Sequence, residues 1–100
     1  MIVHIVMWKL KDSANGNPKE TNARAMKEQL ESLNGNIPGL ILLKVGINVS
    51  KTESSSDIVL YSEFKTMRDL EAYQEHPLHK AVMPFVAEVR SERRVVDFED

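Results

Sequence analysis

The alternation of apolar and polar positions divides the chain into strands and helices. Residues 2–11 set Ile2, His4, Val6, Trp8 and Leu10 on one face of an extended segment and Val3, Ile5, Met7, Lys9 and Lys11 on the other. Their β-branched and aromatic content marks a strand. Both faces are apolar over the first seven residues, so this strand is covered twice, by helices on one side and by a second sheet on the other. A turn-forming cluster follows at residues 12–17. Asn17 as N-cap, Pro18 at the first helical position and Glu20 as a capping-box acid then predict a helix start. Ala23, Met26, Leu30, Leu33 and Ile37 recur at helical steps, with Lys19, Glu20, Lys27, Glu28 and Glu31 opposite them. That is an amphipathic helix with one buried stripe, stopped by Asn34-Gly35.

Ile37-Pro38-Gly39 turns the chain into a second strand over residues 40–49, whose odd positions Ile41, Leu43, Val45, Ile47 and Val49 are all apolar. Residues 50–56 are polar and read as a flexible loop. Residues 57–64 form a third strand in which Ile58, Leu60 and Phe64 alternate against Val59, Tyr61 and Glu63. Thr66, paired with Asp69, caps a second helix, and Met67, Leu70 and Tyr73 form its buried side. Pro77 forces a break or a redirected helix at His76. A helical pattern resumes over 81–89 despite Pro84, and 93–98 reads as a last short strand. The order β-α-β-β-α-β predicts a single ferredoxin-like α+β domain over residues 1–100, with helices on one face of a four-stranded antiparallel sheet. The remaining apolar sheet face predicts a symmetric homodimer, two sheets packed face to face.

Composition narrows the partners. A chain of 100 residues with 42% apolar and 28% charged positions is an ordinary globular mixture. The net charge of −2 argues against nucleic acid as a partner. Arg90, Arg93 and Arg94 cluster, but Glu88, Glu92 and Asp97 dilute them, and the run reads as a solvated strand edge. With no cysteine there is no disulfide framework, thiolate nucleophile or cysteine metal site, which suits a reducing cytosol. The first residues lack the basic lead of a signal peptide, and no apolar run approaches the ~20 residues of a spanning helix. The expectation is a cytoplasmic protein with no membrane partner.

The densest chemistry lies in Tyr73-Gln74-Glu75-His76-Pro77-Leu78-His79, which holds two of the three histidines; the third, His4, is in the first strand. With strands one and three read as parallel neighbours, the helix returning from strand three ends near the start of strand one. His4 and Tyr73–His79 then share one corner. The expected pocket has His4, Tyr73 and His79 as its catalytic groups and Val6, Trp8 and Met83 as its substrate-binding walls. Histidine suits such a site because its ordinary pKa of ~6.5 lets it accept and donate a proton near neutrality. Packing explains some of the same residues: Trp8 and Tyr73 as core, His4 as a hydrogen-bonded buried ring, His76 as a corner residue. A zinc site of His4, His76 and His79 is disfavoured by the intervening Pro77 and the lack of a carboxylate second shell, so no metal is assigned. No nucleophile elbow or Gly-rich phosphate loop occurs.

Nearly the whole chain resembles the stress-responsive α/β-barrel (Dabb) family of the dimeric α+β barrel group. The resemblance is carried by Val3-His4-Ile5-Val6, Ile37-Pro38-Gly39, Val45-Gly46-Ile47-Asn48, Asp57-Ile58-Val59-Leu60-Tyr61 with Phe64, and most specifically by Tyr73-x-x-His76-Pro77-x-His79. It implies the same fold and a homodimer. Some plant members are polyketide cyclases that close a linear β-polyketo thioester by aldol condensation with no cofactor, and the resemblance places that chemistry on His4 and His79 with Tyr73 nearby. It also leaves two other functions open: a non-enzymatic stress-associated or small-molecule-binding homodimer, and a monooxygenase like those on other dimeric α+β barrels. A cofactor-free enzyme requires an enclosed, partly apolar cavity reaching His79; in a non-enzymatic small-molecule-binding or stress-associated dimer the core fills that space. Gln74, Glu75 and Lys80 make the region too polar for a long acyl chain.

Overall fold

The computed structural model describes residues 1–100. In chain order it contains β1 (Ile2–Leu10), β2 (Ser13–Ala14), β3 (Asn17–Pro18), α1 (Lys19–Glu31), β4 (Leu40–Ile47), β5 (Ile58–Phe64), α2 (Met67–Glu75), α3 (Pro77–Val89) and β6 (Arg90–Glu99). The main sheet has the order β4-β5-β1-β6, and every pairing in it is antiparallel. The helices cover one face of this sheet, giving the ferredoxin-like α+β arrangement. β1 is central, as its two apolar faces require: Val6, Trp8 and Leu10 enter the core beneath the helices, while Ile5 and Met7 lie on the opposite face.

The first strand's neighbour differs from expectation. β5, the third long strand, runs antiparallel to β1, with Ile2 opposite Phe64 and Trp8 opposite Ile58. The end of β5 therefore lies beside the start of β1, and it is the beginning of the helical return, not its end, that arrives there. β6 pairs with the other side of β1, Ile2 opposite Glu99 and His4 opposite Asp97, with a register shift at Lys9/Leu10.

Local differences have local causes. Asn17 does not cap α1. It pairs with Ala14 in a two-residue hairpin whose turn places Asn15 and Gly16 at φ +55° and +74°, and Pro18 holds the cap position without a side-chain bond. The buried Asn22 amide ties that hairpin down through Ala14 O and Asn17 O. Ala23, Met26, Leu30, Leu33 and Ile37 are all buried, although the helix ends before the last two. In β4 only Leu43 and Val45 of the odd positions are buried; Ile41 and Ile47 are exposed, and Val49 lies beyond the strand. Thr66 accepts from the Asp69 N–H as expected, and Leu70 and Tyr73 are buried, but Met67 is exposed. Met67 is the first residue of α2, directly after the Thr66 cap, and faces solvent. The last strand begins at Arg90, directly after α3, and is longer than residues 93–98.

A candidate active site between β1 and the broken helix

His4 projects from the helix-facing side of β1 and is 3% exposed. The antiparallel register sets Asp97 opposite it, and His4 Nδ1 is hydrogen-bonded to Asp97 Oδ1. A carboxylate at Nδ1 favours the tautomer with its proton there, leaving Nε2 as the free ring nitrogen. Tyr73 stands between the two imidazoles. Its ring centroid is 6.4 Å from that of His4 and 4.5 Å from that of His79, and Phe64 backs it at 5.1 Å.

The helix break brings His79 there. In an unbroken helix, side chains six residues apart diverge by about 120° around the axis. His76 interrupts α2 with extended backbone (φ −64°, ψ 137°), and its Nδ1 accepts the Leu78 N–H at 3.1 Å. Pro77 starts α3, where its missing N–H leaves no donor unsatisfied. His76 is thus the corner and cap, and its ring is engaged with the backbone. The re-aimed α3 turns His79 back onto Tyr73.

These groups border a cavity of about 290 Å³ whose lining includes all six residues expected from sequence: His4, Val6, Trp8, Tyr73, His79 and Met83. Eight of its thirteen lining residues are hydrophobic. Gln74 also reaches it, whereas Glu75 and Lys80 pair with each other at 2.8 Å in solvent. Sequence reasoning missed three residues. Asp97 orients His4, and Arg90 and Arg93, read as part of a solvated edge, line the cavity. The parity of the last strand carried a signal, since Arg93, Val95 and Asp97 share one face, but only the register showed what they oppose.

Burial divides the protonation states. It raises the Tyr73 phenol well above its ordinary value, so the hydroxyl stays protonated and can donate. It lowers the His79 pKa below 6.5, an effect added to by the nearby His4 and Arg93 and opposed by the Gln74 carbonyl and Glu75. His79 is therefore a neutral base at pH 7. The Gln74 carbonyl does not reach hydrogen-bond geometry: His79 Nδ1 is buried without a partner, as is Trp8 Nε1. A base, a neutral donor and a carboxylate-held imidazole around one cavity can move a proton from carbon and stabilise the resulting oxyanion.

Fold and site together define a ferredoxin-like α+β domain with a histidine-lined cavity between sheet and helices. The chain belongs to the stress responsive A/B barrel domain family, Dabb, whose model matches residues 2–100. Among solved structures it is similar to a dimeric protein of unknown function with a ferredoxin-like fold from Bacteroides fragilis (33% identity, 99% of this chain and 95% of that one, TM-score 0.86). It is also similar to a dimeric ferredoxin-like protein of unknown function from Thermobifida fusca (22% identity, 99% and 90%, TM-score 0.85). A hydroxynitrile lyase from Passiflora edulis shares the fold at 13% identity (97% and 90%, TM-score 0.80). No curated protein matches the sequence.

Proposed function

We propose that this Dabb-family chain is a small-molecule enzyme of the polyketide cyclase/lyase type, working by acid–base chemistry without a cofactor. The observation that carries this reading is the partly apolar cavity bordered by Tyr73 and His79, whose rings are 4.5 Å apart. A purely structural dimer would fill that space with side chains. His79, neutral at pH 7, takes the acidic proton from the carbon between two carbonyls. Tyr73 O–H donates to the enolate oxygen. His4, held against Asp97, positions the substrate. The enolate carbon then attacks a further carbonyl of the same substrate, a C–C bond forms as that carbonyl's π bond breaks, and the new alkoxide recovers the proton from His79. Val6, Trp8 and Met83 supply the apolar walls. At about 290 Å³ the cavity favours a compact substrate over a long acyl chain.

The functional unit in this reading is a homodimer joined through the open sheet faces. Met7, Val96 and Phe98 are 40–51% exposed on that face, beside the half-buried Ile5, and the 33%-identical relative is dimeric. In this reading the protein works in the cytoplasm, which a cysteine-free chain suits.

Exchange of the activated carbon's protons in D2O tests the chemistry with acetoacetamide as probe. The native protein should exchange it above the buffer rate. His79→Ala should remove about 10²-fold or more of that enhancement, and Tyr73→Phe should lower it while leaving the fold unchanged. Equal exchange by native and His79→Ala protein would sink the assignment.

A further inference from the structure

One wall of the cavity is cationic and has no counter-charge. Arg90, at the α3–β6 junction, and Arg93, on the helix-facing side of β6 opposite Trp8, both line it, and no Asp or Glu does. Neither arginine belongs to any of the six ion pairs of the chain. The neighbouring Arg94 falls on the other face of β6 and lies near Glu92, so strand parity singles Arg93 out for the cavity. The nearby carboxylate Asp97 is taken by His4. Arg24 and Arg68 are likewise outside those pairs, so it is the placing of two guanidinium groups on one acid-free cavity that sets Arg90 and Arg93 apart.

A second, independent observation is Trp8. It is 4% exposed and lines the cavity, yet its Nε1–H is buried with no acceptor. Buried donors in folded proteins are almost always satisfied, and the chain itself leaves this one, on a ring that walls the cavity, without an acceptor. Guanidinium forks match planar two-oxygen anions, and the mainly hydrophobic remainder of the lining suits a carbon body. The volume lies just below the roughly 300–1,000 Å³ usual for ligand sites, which suits a small ligand.

We infer that the cavity binds a small organic acid, its carboxylate held by Arg90 and Arg93 beside the Trp8 ring. Combined with the function proposed above, on which this assignment of substrate class rests, the substrate is an oxo acid whose activated carbon lies at His79. The arginines anchor it; they are binding residues, not proton carriers.

Trp8 is the sole tryptophan, so its indole N–H resonance reports this site alone. Acetoacetate and its neutral, near-isosteric amide acetoacetamide are titrated in turn while that resonance is followed. Acetoacetate should shift it in a saturable way and bind about tenfold or more tightly than the amide. Arg93→Gln and the double variant Arg90→Gln/Arg93→Gln should progressively erase that preference while leaving the amide's own shift and the native spectrum in place. Equal affinities for the two probes, no shift with acetoacetate up to about 50 mM, or a preference that survives the double variant would each overturn the proposal. Binding is read without turnover. An intact acetoacetate preference with no His79-dependent exchange defeats the enzymatic reading alone, and exchange without the preference defeats this inference alone.

Discussion

The His79 ring is neutral in the folded state at a pH where the unfolded chain's histidine is already protonated, because burial lowers its pKa and His4 and Arg93 add to the effect. The unfolded chain thus binds more protons between the lowered value and the ordinary 6.5, and stability rises with pH through that window. It is fully present above 6.5 and declines as pH falls through the folded-state value. Urea midpoints measured from about pH 8 to 5 should fall more steeply for the native chain than for His79→Gln, which has no such proton to bind. Superimposable slopes would show that His79 is not the group responsible. At His4 the relevant partner is Asp97. Asp97→Asn preserves shape but removes the charge that fixes the imidazole tautomer, so exchange activity should fall about 10- to 100-fold. The His4 ring-nitrogen NMR shifts should move with it, a readout that a merely structural role would leave in place.

Among the elements, β4 is an edge strand whose outward backbone groups are met by side chains from α1 and the turn after it. Asn34 accepts from Leu43 N–H at 2.9 Å and donates to Leu43 O at 2.7 Å, while Glu31 accepts from Val45 N–H at 3.0 Å. That Val45 bond, followed by Lys27, lowers the Glu31 pKa. Covered edges resist pairing with other chains. Asn34→Ala should cost about 1–2 kcal/mol and speed aggregation of heated samples; unchanged urea midpoints would refute it. Gly39 ends the turn from α1 into this strand and packs against Asp69 in the first turn of α2. Its φ is +83°, and a β-carbon there would collide with the Asp69 side chain that completes the α2 cap. Gly39→Ala should lose about 1–3 kcal/mol from strain alone, read as a lower urea midpoint. Sequence patterns located the turn, the cap and the break at Pro77. They did not show that Asn34, chosen as a helix stop, also closes a sheet edge, because that bond joins residues nine apart across two elements.

The whole molecule is a slab, 36 × 27 × 17 Å, with one face of its sheet open. That face holds Val3, Ile5 and Met7 between Val59 and Tyr61 on one side and Val96 and Phe98 on the other. Of these only Val3 is fully buried. Two such slabs stacked at the usual sheet spacing of about 10 Å would cover it. Sedimentation at micromolar concentration should give twice the 11.4 kDa protomer mass, and Phe98→Asp should shift the equilibrium to the protomer. A protomer-only native sample would remove the sheet-face dimer. No helix is long and apolar enough to cross a membrane.

The sequence alone determined the long strands and helices, the apolar face that β1 turns to the helices and the corner at His76-Pro77. Each of those follows from local periodicity, backbone restriction or a contiguous motif. The tertiary structure decided the rest. His4 meets Tyr73 because β5 runs antiparallel to β1 and delivers the start of the helical return to that corner, the reverse of the strand direction expected. Asp97 holds His4, and Arg90 and Arg93 turn toward the cavity, because of the register of β6 on β1. Residues ninety-three positions apart are joined there by backbone pairing. Strand periodicity tells which residues share a face, but direction and register are properties of two strands at once, and only their packing sets them.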